Sequence, residues 1–148
     1  MQNTALNLLH IEDSIQDAHL IKQALKNAED TSHSYDIKQV LNMKSALYEL
    51  SRPNEFSAIL LDLHLPDGSG IKNIVSIQSL NDHVPIVIIT GTKDEAMARN
   101  ALSEGAQEYI VKDYSNGYMI GQIIQSSIFR KRTEIELSRK AYTDLLTG

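Results

Sequence analysis

Five positions of this chain place reactive side chains directly after apolar runs. Glu12 and Asp13 follow Leu8-Leu-His-Ile11, Asp62 closes Ala58-Ile-Leu-Leu61, Thr90 closes Ile86-Val-Ile-Ile89, and Lys112 follows Tyr109-Ile-Val111. Taken singly, each has an ordinary reading. Asp62 opens a polar turn, Leu65-Pro-Asp-Gly-Ser-Gly70. Glu12 and Asp13 suit the start of a helix, where the dipole favours acids. Taken together, they describe a site. Three gathered carboxylates repel one another unless a proton or cation compensates them. An all-oxygen donor set suits Mg²⁺, which takes a few carboxylates, keeps waters and shares its remaining shell with phosphate oxygens. Lys112 is a compact charge that can pair with an acid at rest and with a phosphoryl oxygen when one is present. Thr90 can donate a hydrogen bond to the same group. Asp62 can act as a nucleophile, because carboxylates form aspartyl phosphates.

Such a site requires elements that carry these residues to one edge. Apolar runs recur at Ala5–Ile11, Tyr35–Leu41, Phe56–Leu61, Pro85–Ile89 and Glu108–Val111. Between them the spacing is helical: Ile15, Ala18, Ile21, Leu25 and Ala28 share one face, Met43, Ala46, Leu47 and Leu50 a second, and Ile71, Ile74, Val75 and Ile77 a third. Ser14 with Asp17, and Thr92 with Glu95, have capping-box spacing, and Gly105 can end the helix that runs through Leu102. Strand then helix, five times over, predicts an α/β fold with a doubly wound parallel sheet. The unbroken apolar character of the third and fourth runs fits strands buried on both faces. In open parallel sheets ligands bind outside the carboxyl ends of the strands. Those ends carry Glu12, Asp13, Asp62, Thr90 and Lys112.

The last helix is predicted to run from about Tyr118 to about Asp144, with Met119, Ile120, Ile123 and Ile124 as its docking face. Beyond them it turns polar, with Ile128, Ile135 and Tyr142 at heptad spacing. This distal half is expected to be solvated or to pair with a second copy. Arg130-Lys-Arg132 reads as a solvated face.

With 42% apolar residues, 22% charged residues and a net charge of −5, the chain has the composition of a globular domain and argues against a nucleic-acid surface. It has no cysteine, which excludes disulfides, thiolate metal sites and a cysteine nucleophile. None of the five histidines has useful metal-ligand spacing. The N-terminus lacks the features of a signal peptide, and no run approaches the roughly 20 apolar residues needed to span a bilayer. A cytoplasmic protein without a membrane or nucleic-acid partner is the expectation.

Leu8-Leu-His-Ile-Glu-Asp-Ser14, the segment ILLDLHLPDGSG from Ile59 to Gly70, PIVIITGT from Pro85 to Thr92, and Tyr109-Ile-Val-Lys-Asp113 resemble the motifs of receiver domains of bacterial response regulators. The likeness spans residues 5 to 127. It implies a flavodoxin-like (βα)5 sheet of strand order 2-1-3-4-5. It implies Mg²⁺ held by Glu12, Asp13, Asp62 and the main-chain carbonyl of His64. It further implies phosphorylation of Asp62 by a sensor histidine kinase or a phosphotransfer protein, with Thr90 and Tyr109 as the switch pair and Lys112 as the phosphate-binding lysine. One departure concerns the residue after that lysine, commonly proline in receivers and often joined by a cis bond; here it is Asp113. The ending, from Arg130 to Gly148, is similar to the linker helix and first residues of GGDEF diguanylate cyclase domains. This divides the chain into a receiver domain, 1–127, and a linker helix with the start of an output domain, 128–148. By this reading the fragment is not an enzyme beyond its own phosphorylation and dephosphorylation, and it controls an attached cyclase as a dimer.

Two other classes compete. A magnesium-dependent phosphohydrolase also uses an aspartyl phosphate, but Asp62-Leu63-His64 lacks the second aspartate that common aspartate-nucleophile phosphatases place two residues on. A phosphorylation-independent interaction module, or a flavin-binding relative, is the third; a flavin phosphate would be repelled by Glu12 and Asp13.

Overall fold

A computed structural model describes residues 4–113 and 115–147. The chain runs β1 (Thr4–Ile11), α1 (Ile15–Asn27), β2 (His33–Val40), α2 (Met43–Ser51), β3 (Ala58–Asp62), a small hairpin of β4 (His64–Leu65) and β5 (Gly68–Ser69), and α3 (Ile71–Leu80). It continues through β6 (Ile86–Thr90), a 3₁₀ turn (Thr92–Asp94), α4 (Glu95–Ser103), β7 (Glu108–Val111) and α5 (Gly117–Thr147). The five long strands form one parallel sheet in the order β2-β1-β3-β6-β7. Setting the hairpin aside, this is the expected order 2-1-3-4-5, and the fold is flavodoxin-like.

The alternation of side chains along each strand divides the interior into two layers. Leu9, Ile11, Ile59, Leu61, Ile86 and Ile88 pack against Met43, Ala46, Leu50, Ile74, Ile77, Ala98 and Ala101 of α2, α3 and α4. Leu8, Leu60, Val87, Ile89 and Ile110 pack against Ile21, Leu25, Ile120, Ile124 and Ile128 of α1 and α5. Every residue of β3 and β6 is buried, as their unbroken apolar character requires. Each fully buried Leu or Ile contributes about 1.5–3 kcal/mol by leaving water. The register of this rigid centre sets the site. Ile11 pairs with Leu61 and Thr90 with Val111, so Glu12 and Lys112 emerge one step past their strands at the same edge as Asp62.

The loop after Asp62 is anchored from outside the sheet. Asp67 accepts hydrogen bonds from the amides of Met43 (2.8 Å) and Lys44 (3.0 Å), filling two open donors at the start of α2. Those amides hold its carboxyl below the usual range. Gly70 takes φ +64° before α3, a conformation that favours glycine. Gly105 at φ +120° follows α4, as its position past the helix predicts.

Several expectations need correction. Helical spacing places Ile15 and Val75 on apolar faces and Met119 on the docking face of the last helix, but they are 70%, 56% and 56% exposed. Ile15 lies in the first turn of α1, past the sheet edge that would cover it. In α3 Asn73 takes a buried place while Val75 turns outward. In α5 the buried stripe is Ile120, Ile124 and Ile128, four residues apart, with Ile123 only partly covered. The helix expected to open at Thr92 begins with a 3₁₀ turn, and α4 starts at Glu95 with Asp94 at the cap position making no capping bond; the Thr92 side chain of the expected capping box lies outside what is described. The polar turn after Asp62 carries a short antiparallel pairing, His64 with Ser69 and Leu65 with Gly68, that its residue types do not predict. Ile128 belongs to the domain's own core and Tyr142 is 65% exposed, so the heptad residues do not share one environment. No described helix is long and apolar enough to cross a membrane.

Candidate functional site

Glu12 leaves β1 fully enclosed, and its backbone is pinned by Gln39 of β2, whose side-chain amide donates to the Glu12 carbonyl at 2.8 Å. Asp13, next along, is exposed. Ser14 caps α1 by accepting from the Asp17 amide at 3.1 Å, while its own amide donates to Glu12 Oε2 at 3.3 Å. The capping box is therefore half made. The return bond goes to Glu12, and the Asp17 carboxylate is released for another contact. Asp62, also buried, accepts from the amide of His64 at 2.9 Å through Oδ1. One carboxylate oxygen from each of Glu12, Asp13 and Asp62 lies within 4.8 Å of the others, so the expected acid cluster assembles.

Lys112 enters it from β7. Its ammonium stands 3.3 Å from Asp62 Oδ2, 3.3 Å from Glu12 Oε1 and 2.9 Å from Asp17 Oδ2. Burial, helped by the adjacent Asp62 carboxylate, pushes Glu12 up to about 8 despite Lys112. Burial works in the same direction on Asp62, but hydrogen bonding with Glu12 and the His64 amide, together with Lys112, outweighs it and holds Asp62 below its usual range. The pair thus divides one proton, with Glu12 keeping it and Asp62 left as the anion. Beneath them His10 is fully buried, and neither ring nitrogen has a hydrogen-bond partner among the described residues. Burial drops its pKa to about 4, with Asp62 pulling upward and Lys112 downward, so the ring is neutral near pH 7.

Thr90 is buried at the end of β6, and its hydroxyl donates to the Gly91 carbonyl at 3.2 Å. Tyr109 pairs with Ile88, so by strand alternation it shares a sheet face with Thr90. Its ring is half-buried, and its hydroxyl meets Glu95 of α4 at 3.4 Å. Across the mouth of the site the His64 imidazole lies 3.0 Å from Asp94. No cis peptide bond occurs among the described residues, so Lys112 and Asp113 are joined in trans, and the Asp113 carboxylate binds the amide and hydroxyl of Ser115. Asp17, Asp94 and His10 escape the sequence reading. Asp17 stands one helical turn beyond Asp13, a spacing that could have flagged it.

The donor set suits a hard divalent ion. Its members are all oxygen, and Glu12 Oε1 is a buried oxygen that accepts no hydrogen bond among the described residues.

Comparison with known proteins bears on this arrangement. Residues 9–124 match the model of the response regulator receiver domain, and the chain belongs to that family. The swarming motility regulation protein RssB of Serratia marcescens is 27% identical over 118 residues, which is 80% of this chain and 51% of that protein. A CheY-like receiver domain from Methanospirillum hungatei superposes with a TM-score of 0.72 at 20% identity, covering 88% of this chain and 99% of the other. The receiver domain of the sensor histidine kinase PA1611 of Pseudomonas aeruginosa, described with magnesium coordinated in its active-site cleft, gives 0.69 at 23% identity, covering 84% and 98%. The chain spans about half the length of the curated relatives it matches.

Proposed function

We propose that the protein is the phosphoacceptor module of a two-component system, phosphorylated on Asp62 in a magnesium-dependent reaction. The observation that carries the reading is the junction of Asp62 with Lys112 (3.3 Å) inside the three-acid cluster. Glu12, Asp13, Asp62 and the main-chain carbonyl of His64 would hold Mg²⁺, which supplies charge compensation for an incoming phosphoryl group.

The chain's own residues do the rest. The ionised Asp62 carboxylate attacks phosphorus; a P–O bond forms while the bond to the donor's histidine nitrogen breaks, and the ring, protonated on its other nitrogen, leaves as neutral imidazole. A sensor histidine kinase or a phosphotransfer protein is the donor, and acetyl phosphate serves in its place with acetate leaving. Lys112 neutralises part of the charge on the transferred group. The Thr90 hydroxyl turns from the Gly91 carbonyl to a phosphoryl oxygen, and Tyr109 leaves Glu95 and moves toward the space that opens. The added charge, roughly −1.5 to −2, thus biases the face formed by α4, β7 and α5. That face signals through α5 to an attached output domain. The resemblance of the segment ending in Thr-Asp-Leu-Leu-Thr147 supports a diguanylate cyclase as that output, with the distal half of α5 pairing two copies in the cytoplasm.

Mass spectrometry of the intact protein after incubation with Mg²⁺ and acetyl phosphate is expected to show one added phosphoryl group, absent without Mg²⁺ and absent from Asp62→Asn. An unmodified wild type under these conditions overturns the reading. For the output, cyclic di-GMP formation by the full-length gene product is expected to change on phosphorylation; no cyclase activity in either state removes that part.

A further inference from the structure

Lys112 reaches a fourth acid that the phosphoacceptor reading leaves without a role. Its closest carboxylate is that of Asp17, at 2.9 Å against 3.3 Å for Glu12 and Asp62. These three carboxylates differ in how they are held. Glu12 and Asp62 are almost enclosed, with side chains 1% and 8% exposed, whereas Asp17 stands on the first turn of α1 and is 33% exposed. Asp17 also has no capping duty, because Ser14 donates its amide to Glu12.

Of the ammonium's hydrogen bonds to carboxylates, one goes to Asp17 (2.9 Å) and one to Asp62 (3.3 Å), while Glu12 Oε1 stands 3.3 Å away without accepting one. A phosphoryl oxygen on Asp62 that takes Lys112 as its partner draws the ammonium from the Asp17 carboxylate, its shorter hydrogen bond and the one that ties it to α1. Asp17 can give up its place at the least cost, since its carboxylate turns to water where the other two cannot. We propose that Asp17 is a positioning residue that detains Lys112 against α1 at rest and must release it when Asp62 is modified, so that the charge at position 17 opposes phosphorylation. The inference rests on the phosphoacceptor reading and adds a residue that sets its equilibrium.

The probe is beryllofluoride, a phosphoryl mimic, titrated calorimetrically at saturating Mg²⁺ into the wild type, Asp17→Asn and Asp17→Glu. A partly exposed ion pair is worth up to about 1 kcal/mol, so Asp17→Asn is expected to bind the mimic about three- to fivefold more tightly. Its affinity for Mg²⁺ alone is expected to be unchanged or lower, because Asp17 is outside the proposed ligand set. Asp17→Glu, which restores the charge, is expected to return toward the wild type. A merely structural role for Asp17 would not tighten one ligand while sparing the other. Equal or weaker binding of the mimic by Asp17→Asn overturns the proposal, as does tightening that Asp17→Glu fails to reverse. A wild type that binds no mimic while still binding Mg²⁺ overturns the phosphoacceptor reading itself, and the proposal with it.

Discussion

Gly117, the first residue of α5, rests directly on the carbonyl group of Ala24 in α1, with no room between them for a Cβ. One turn on, a Cβ at Gly121 would meet the hydroxyl of Tyr35 at 2.5 Å. The helix that leads out of the domain is therefore seated backbone-to-backbone at its root. Two effects compete when Gly117 becomes alanine. Helix propensity favours alanine by up to about 1 kcal/mol, while overfilling a packed contact costs about 1–3 kcal/mol. The contacted atom belongs to a helix backbone and cannot turn aside, so packing wins. Urea unfolding of Gly117→Ala is expected to show a loss of about 1–2 kcal/mol. A gain in stability would show that α5 is loosely seated.

Tyr35 ties the same helix to β2: Gln125 donates to its hydroxyl at 2.6 Å. Tyr35→Phe keeps the ring and deletes that acceptor, which predicts a loss of about 0.5–1.5 kcal/mol. A double-mutant cycle with Gln125→Ala is expected to recover most of the loss as coupling. Two additive single effects would mean that the pair contributes nothing.

The metal-free site makes stability depend on pH in a direction set by two groups. Glu12 titrates near 8 when folded against an ordinary 4.5, so between those values the folded chain binds more protons and stability falls as pH rises. His10 titrates near 4 against an ordinary 6.5, so in that window the unfolded chain binds more protons and stability rises with pH. The two oppose one another from about 4.5 to 6.5, and above that only Glu12 acts. Thermal unfolding in EDTA is therefore expected to show a decline of about 1 kcal/mol between pH 6.5 and 8 that Glu12→Gln abolishes. A decline of the same size in Glu12→Gln would assign it to other groups.

How far such details can be read from the amino-acid sequence depends on how local their causes are. β3 and β6 were legible because a strand buried on both faces has no polar position to misplace. Glu12, Asp62, Thr90 and Lys112 were legible as a group because parallel strands deliver their carboxyl ends to one edge. Ile15 and Met119 were misplaced because helical periodicity gives a stripe without saying where the neighbouring layer stops. Asp17 was hidden for a related reason. Its cap spacing with Ser14 offers a sufficient local role, and only the fold, by bringing Lys112 across from β7, shows that Glu12 takes the return bond. The hairpin at His64–Ser69 depends on Asp67 reaching α2, a contact between distant segments that spacing does not reveal.

With Glu12 and Asp62 among the proposed ligands, Lys112 and a bound cation would make rival claims on the same oxygens, which fixes the sign of a last prediction. At rest the ammonium compensates Asp17 and Asp62 and stands 3.3 Å from Glu12. Lys112→Met keeps most of the unbranched stem and removes the charge, leaving those acids to repel one another. Breaking a largely buried pair from one side costs about 3–5 kcal/mol, but Glu12 already holds a proton and Asp17 is partly solvated. The metal-free variant is therefore expected to lose about 1–3 kcal/mol in urea unfolding. Mg²⁺ then has no ammonium to displace, so its affinity, measured by calorimetry, is expected to rise above that of the wild type, and saturating Mg²⁺ to restore much of the lost stability. Beryllofluoride binding is expected to weaken all the same, since the phosphoryl oxygens lose their cationic partner. A variant that binds Mg²⁺ less well than the wild type would mean that Lys112 organises the acids for the ion instead of competing with it.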